Sequence, residues 1–310
     1  MLQKLTSEIL SLFLLPFSLG HRPKVGLVLK GSVDDVRQAA RRVRFLPFQG
    51  VEIIGYGQPV NPSCEFLEEL TTIKFARIYA SPLTHLESIG SLTQLRRLQL
   101  AQVLRGQVIP IDLGRLPHLE RADLQWFVGA ETIFEAKLLK SLSLSDCPIS
   151  NLEPFGRLDS LLQLDLTSGR VAEVEALRQI SSLRWLALGA QRKLSDFSGL
   201  SGHPALQFLW IEGCRRLDSL EWLAGMPRLE TLRILDCGTI DGIEVLRSLP
   251  RLKHVHIHGS VKVIASEFRF LRELPNLESV FIKGLPKVEA DYWAQRNVRY
   301  DLIRQDLAGW

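Results

Sequence analysis

The chain has 310 residues, of which 46% are hydrophobic and 23% charged, a balance that excludes a disordered or collagen-like protein. Lys and Arg number 38 against 34 acidic residues, for a net charge of +4. Spread along the chain, that excess is too weak to mark a nucleic-acid binder and is compatible with an acidic protein partner. No apolar run approaches the ~20 residues of a spanning helix.

The first segment, MLQKLTSEILSLFLLPFSLGH, carries an apolar stretch from Ile9 to Leu15 after Lys4. It has features of a signal peptide, but Glu8 abuts the apolar stretch and Pro16 cuts it short, so an amphipathic cap is the preferred reading and a cytoplasmic location is expected. KVGLVL from Lys24 is a possible first strand. Ser32 can N-cap a helix over SVDDVRQAARRVRFL, with Val33, Val36, Ala39, Ala40 and Val43 as its apolar face. Residues 1–50 are therefore predicted to form an N-terminal cap.

Leucine then dominates, with 56 in the whole chain, which directs attention to internal repeats. One pattern recurs: LRRLQL from Leu95, LERADL from Leu119, LKSLSL from Leu139, LLQLDL from Leu161 and LRWLAL from Leu183. It continues with LQFLWI from Leu206, LETLRI from Leu229, LKHVHI from Leu252 and LESVFI from Leu277. The starts step by 24, 20, 22, 22, 23, 23, 23 and 25 residues. Weaker copies precede them at Val51 and Ile73. Between copies, apolar residues recur every third position (Ile149, Leu152, Phe155 and Leu158, for example), which predicts a turn or two of 3-10 or short α-helix. Pro117, Pro204, Pro227, Pro250 and Pro275 each fall two residues before a strand leucine and end the return segment.

These phased LxxLxL copies over residues 51–284 resemble the leucine-rich repeat family, in its short bacterial type of internalins and phosphatase regulators. The resemblance implies an α/β solenoid. A curved parallel sheet would line its concave face, 3-10 or short helical segments its convex face, and both ends would be capped; residues 285–310 would be the C-terminal cap, with Tyr292, Trp293, Tyr300 and Leu302 covering the last repeat. The sequence departs from the family at the ninth repeat position. There the family usually places Asn, and this chain has Ser81, Cys147, Gly169, Gln191, Cys214, Cys237 or Ser260.

Strand alternation buries the leucines and turns the third, fifth and seventh positions of each copy outward. Those positions are free of core constraints, so they carry the candidate partner-binding residues. The main cluster is Trp185, Phe208 and Trp210, with Glu212, Arg233 and Leu235 beside it; Arg192, Lys193, Arg215 and Arg216 form a basic rim. Exposed aromatics with Arg are the composition of interface hot spots. Arg77, Tyr79, Arg97 and Arg121 make a second patch. His254, His256 and His258 line one strand. Their ~7 Å spacing along a line converges poorly on a tetrahedral ion, so they are assigned to partner contact and no metal or cofactor is predicted.

No GxSxG, HExxH, P-loop or GxGxxG motif occurs, and no nucleophile, base and orienter come together, so the chain is not expected to be an enzyme. The expected function is a monomeric, non-catalytic scaffold gripping a folded protein with its concave face. An inhibitory role, such as a bacterial immunity protein neutralising a toxin, is the preferred form. An exported internalin-like adhesin or receptor is the alternative; a nucleic-acid-binding module is disfavoured because Asp123, Asp165, Glu212 and Asp236 interrupt the positive column.

Overall fold

The computed structural model describes residues 16–17, 24–25, 27–42, 48–54, 63–81, 83–265 and 267–296. The apolar stretch Ile9 to Leu15, Val43, Tyr300 and Leu302 lie outside the described residues. Two compact units divide the chain at Leu139 and Lys140.

In the first unit, β1 (Pro16–Phe17) and β2 (Lys24–Val25) pair antiparallel. β3 (Leu27–Gly31) is followed by α1 (Val33–Arg42) and then by β4 (Phe48–Ile54), β5 (Phe75–Tyr79), β6 (Arg97–Ala101) and β7 (Arg121–Gln125). β3 to β7 pair parallel in chain order. Ser32 and Asp35 close a reciprocal cap at the start of α1: the Asp35 N–H donates to Ser32 Oγ at 3.1 Å, and the Ser32 N–H donates to Asp35 Oδ2 at 3.1 Å. Val33, Val36 and Ala40 are the helix's buried side. Short 3-10 helices at Glu65–Glu69, Leu86–Ser91, Leu113–Arg115 and Ala130–Glu135 carry the chain back between strands.

The second unit repeats the plan with β8 (Ser141–Ser145), β9 (Gln163–Thr167), β10 (Trp185–Gly189), β11 (Phe208–Glu212) and β12 (Thr231–Leu235). After these come β13 (Thr239–Ile240), β14 (His254–His258), β15 (Lys262–Val263), β16 (Ser279–Ile282) and α2 (Lys287–Ala294). β8 to β12, β14 and β16 are parallel neighbours in that order, and β13 pairs with β15 in a small sheet of its own. The returns are 3-10 helices at Glu153–Arg157, Glu175–Gln179, Ser198–Leu200, Glu221–Leu223, Ile243–Ser248 and Arg269–Glu273. The five prolines before the strand leucines stand exposed in the turns.

Register pairs equivalent leucines: Leu164 faces Leu186, which faces Leu209, then Leu232, then Val255. All are fully buried. Phe127, Phe155, Phe197 and Phe270 fill the space between strands and returns, and Phe197 stacks on Trp222 at 5.1 Å. In α2, Trp293 is buried, and Tyr292 sits between the guanidinium groups of Arg272 and Arg296, at 4.1 and 4.4 Å from its ring centroid.

The missing asparagines leave the corners regular, because other side chains take over their bonds. Gln191 Nε2 donates to the carbonyls of Leu166 (2.9 Å) and Gly189 (3.1 Å), while its Oε1 accepts from the Val171 N–H (3.1 Å). Cys214 Sγ donates to the Leu188 carbonyl at 3.5 Å, and Cys237 Sγ to the Leu235 carbonyl at 3.4 Å. One residue earlier the backbone enters the left-handed region, at Gln102, Asp146, Ser168, Ala190, Gly213, Asp236, Gly259 and Gly284, which lets the strands before them turn back sharply.

Candidate protein-binding face

The outward positions of the second unit form three rows across its strands. The first reads Gln163, Trp185, Phe208, Thr231, His254, Ser279; the second Asp165, Ala187, Trp210, Arg233, His256, Phe281; the third Thr167, Gly189, Glu212, Leu235, His258. Neighbours within a row are ~4.8 Å apart, so large side chains must pack on one another. Trp185 stacks on Phe208, with centroids 5.4 Å apart and planes within 6°. The Arg233 guanidinium lies 4.4 Å from the Trp210 ring centroid, a cation–π pair. His258 meets Phe281 edge to face at 5.5 Å.

This packing corrects two sequence assignments. Phe208 and His256 point to the open face, but neighbouring side chains cover them to 5% and 7% exposure. Phe208 therefore supports Trp185 from the neighbouring strand, while His256 is bonded to Ser279 Oγ at 3.0 Å. Burial, followed by the charges of Arg233, His254 and His258, pushes the His256 imidazole down to about 3. Burial also lowers His254. Both rings are neutral at physiological pH, and His254 and His258 are half-buried on either side of the covered His256. Among the described residues no group of three or more His, Cys, Asp or Glu side chains is placed to hold a metal ion.

Trp185, Trp210, Glu212, Arg233 and Leu235 are half-exposed, and Phe281, on the second row, is 55% exposed. The indole nitrogen of Trp210 is buried without a hydrogen-bond partner. Arg192, Lys193, Arg215 and Arg216 are exposed on the corners after β10 and β11, and no ion pair holds them among the described residues. The result is an aromatic floor with unneutralised cations beside it.

In the first unit, the corresponding rows bring Arg77, Tyr79, Arg97 and Arg121 onto adjacent strands. Two partners that the sequence reading missed organise them. Glu52, only 3% exposed, accepts Lys30 at 2.9 Å and Arg77 at 3.5 Å. Alternation along β4 carried the signal, since it places Glu52 opposite Arg77 in register. Arg77 Nε also donates to Gln99 Oε1 at 2.6 Å. Arg77 and Arg97 both lie over Phe75, at 5.9 and 5.7 Å from its centroid.

The cysteines are chemically quiet. All four are free and buried, and burial pushes the thiols of Cys64 and Cys214 up to about 12 and those of Cys147 and Cys237 up to about 11. They stay protonated at neutral pH and are poor nucleophiles. Among the described residues no helix is long and apolar enough to cross a membrane.

No family model and no curated protein matches the sequence. Solved structures do match. An internalin, inlF, from Listeria monocytogenes superposes with a TM-score of 0.60 at 17% identity, over 75% of this chain and 67% of that one. A leucine-rich repeat protein of Leptospira interrogans gives 0.50 at 16%, over 82% and 75%. TLR13, in its complex with ssRNA13, gives 0.55 at 20%, over 76% of this chain but only 39% of its own. Likeness at such identities speaks to fold, and it agrees with the register of buried leucines and the 3-10 returns: the chain folds as a leucine-rich repeat solenoid.

Proposed function

We propose that this protein is a non-catalytic binding scaffold that grips a folded protein partner on the open strand face of its second unit. The observation that carries the reading is the Trp185–Phe208 stack beside the Trp210–Arg233 pair on three successive strands. Large aromatics that are already ordered lose little entropy on binding, and their outer faces remain available for a partner's apolar side chains. Glu212, Leu235 and His258 extend the contact, and Phe281 continues the row. Arg192, Lys193, Arg215 and Arg216 would steer an acidic surface toward this floor. The chemistry also disfavours catalysis: the thiols are buried and protonated, and two of the three aligned histidines are held neutral.

An inhibitor of the immunity-protein type, acting as a monomer in the cytoplasm, remains the preferred finer reading; four buried free thiols suit a reducing compartment. The likeness to an internalin favours a second reading, an exported adhesin or receptor. Affinity capture with the intact chain, run beside the Trp185→Ala/Trp210→Ala variant, tests the site. A protein retained by the intact chain and lost with the variant supports it, and equal retention by both overturns it. Identification of the captured protein as a toxin or as a host surface protein separates the two finer readings.

A further inference from the structure

We propose that the corners after β10 and β11 form a site for a phosphomonoester dianion carried by a phosphorylated residue of the protein partner. The inference deepens the protein-binding reading above and rests on it. Two tight turns stand side by side there. The Leu194 N–H donates to the Gln191 carbonyl at 3.3 Å, and the Leu217 N–H donates to the Cys214 carbonyl at 3.1 Å. Arg192 and Lys193 are the central residues of the first turn, Arg215 and Arg216 those of the second. Gly189 and Glu212 are register partners at the strand ends, and each turn follows at the same interval. Arg192 therefore stands beside Arg215 and Lys193 beside Arg216, with backbones ~4.8 Å apart. All four are exposed, so the corners carry a two-by-two array of cations.

Among the described residues no carboxylate pairs with any of the four, whereas Arg178, Arg247, Lys253 and Arg272 of the same unit each hold one. The acids nearest in sequence are used elsewhere or stand off. Asp196 accepts the Ser198 N–H and Asp236 the Ser260 N–H, both at 2.8 Å; Glu212 and Asp218 form no ion pair with the array. Charge density then selects the ligand. A carboxylate brings one charge and two oxygens, a phosphomonoester about −1.5 to −2 and three oxygens. The second is the better match to four cations in so small a footprint, and guanidinium forks bind phosphate two to two. A turn's own bond uses only its first carbonyl and last N–H, which leaves the N–H groups of the central residues open to an anion. Half-exposed Glu212, three residues before Arg215, lies between the array and Trp210 on its strand and penalises further negative charge on that side. That favours a single phosphorylated residue with apolar neighbours, which reach Trp210 and Leu235, over an acidic run or a nucleic-acid backbone.

The test uses the full chain with a fluorescein-labelled peptide carrying one phosphoserine between leucines, read by fluorescence anisotropy at low salt. It should bind about tenfold or more tighter than the same peptide with serine or glutamate in that place. Arg192→Gln and Arg215→Gln should each weaken it about fivefold, and the double variant more than either. Arg228→Gln and Arg251→Gln, exposed ahead of β12 and β14, should stay within about twofold of wild type, as expected for distant charges in a screened field. Circular dichroism checks that each variant is folded. Equal losses at Arg192, Arg228 and Arg251 would mean a diffuse field and would overturn the site, as would equal binding of the phosphoserine peptide and either counterpart. Displacement by inorganic phosphate at the same concentration as by unlabelled phosphopeptide would reassign the array to a free anion. Tighter binding to phosphatidate-containing vesicles would reassign it to a lipid headgroup; either result overturns the protein-borne ligand. Trp185→Ala/Trp210→Ala should keep the preference for phosphoserine over serine, so this site and the aromatic face can fail independently.

Discussion

The Arg233 guanidinium sits 4.4 Å from the centroid of the Trp210 ring, the two residues being register partners on neighbouring strands. The contact fixes a long cationic side chain against an indole whose N–H is buried without a hydrogen-bond partner. An ordered cation and an ordered ring are thus offered together on one face, and truncating either exposes what it covers.

Trp185→Ala combined with Trp210→Ala should weaken the natural partner by roughly 2–4 kcal/mol or more, the range of hot-spot truncations. The fold should survive, because both indoles are half-exposed while the leucines beneath them are untouched. Isothermal titration with the captured partner, alongside thermal melts of both proteins, measures the two effects separately; an unaltered Kd would remove these residues from the interface.

Leu186→Ala acts on the other side of the same strand. Leu186 is fully buried between Leu164 and Leu209, and its truncation should cost about 2–5 kcal/mol through lost burial and the cavity left behind. Urea unfolding reads the loss directly. A cost near zero would mean the strand is turned the other way.

The corner bonds predict a polar-to-apolar penalty. Gln191→Leu strands the Leu166 carbonyl and the Val171 N–H, both bonded by Gln191, and should destabilise by about 2–4 kcal/mol, since each buried unpaired group costs about 1–3. Cys214→Ala, which forfeits only long thiol bonds of 3.5 and 3.7 Å, should cost less, about 1–2 kcal/mol, mostly from lost packing. Equilibrium denaturation of the pair gives the ranking, and a reversed order would contradict the corner assignment.

His256 predicts an acid limb in stability. Its folded value is depressed to about 3, while in the unfolded chain an imidazole titrates near 6.5. Between those values the unfolded state binds the extra proton, so stability is full above about pH 6.5 and falls as pH drops toward 3, with a slope of up to about 1.4 kcal/mol per pH unit from this residue. His256→Gln can keep a bond to Ser279 Oγ and should flatten that part of the slope; the limb that remains comes in part from His203 and His254, which burial also lowers. Urea titrations at pH 7, 6, 5 and 4 make the comparison, and identical slopes would exclude His256 as a contributor.

The repeat beat exposed the architecture to sequence reading because a leucine at the fourth or sixth position of a copy has no alternative to burial. The outward columns followed from alternation alone, so Trp185, Trp210 and Arg233 could be placed before any coordinates. Alternation does not say how much of an outward side chain its neighbours cover. That depends on lateral packing between strands ~4.8 Å apart, and it is why Phe208 and His256 proved buried. Glu52 was hidden for a related reason: its role as the counter-ion of Lys30 and Arg77 spans three strands, a relation no single repeat displays. The corner bonds were not legible either, because Gln and Cys differ from Asn in chemistry yet still reach strand carbonyls.

The left-handed residues at the strand ends have a practical corollary. Ala190, Ser168 and Gln102 adopt positive φ without being glycine, and a side chain in that region generally costs about 1 kcal/mol. Glycine or asparagine at these three corners would relax that tension while leaving every row residue in place. The scaffold could therefore be hardened against heat and denaturant separately from what it recognises, and hardened versions would serve as bait in the search for its partner.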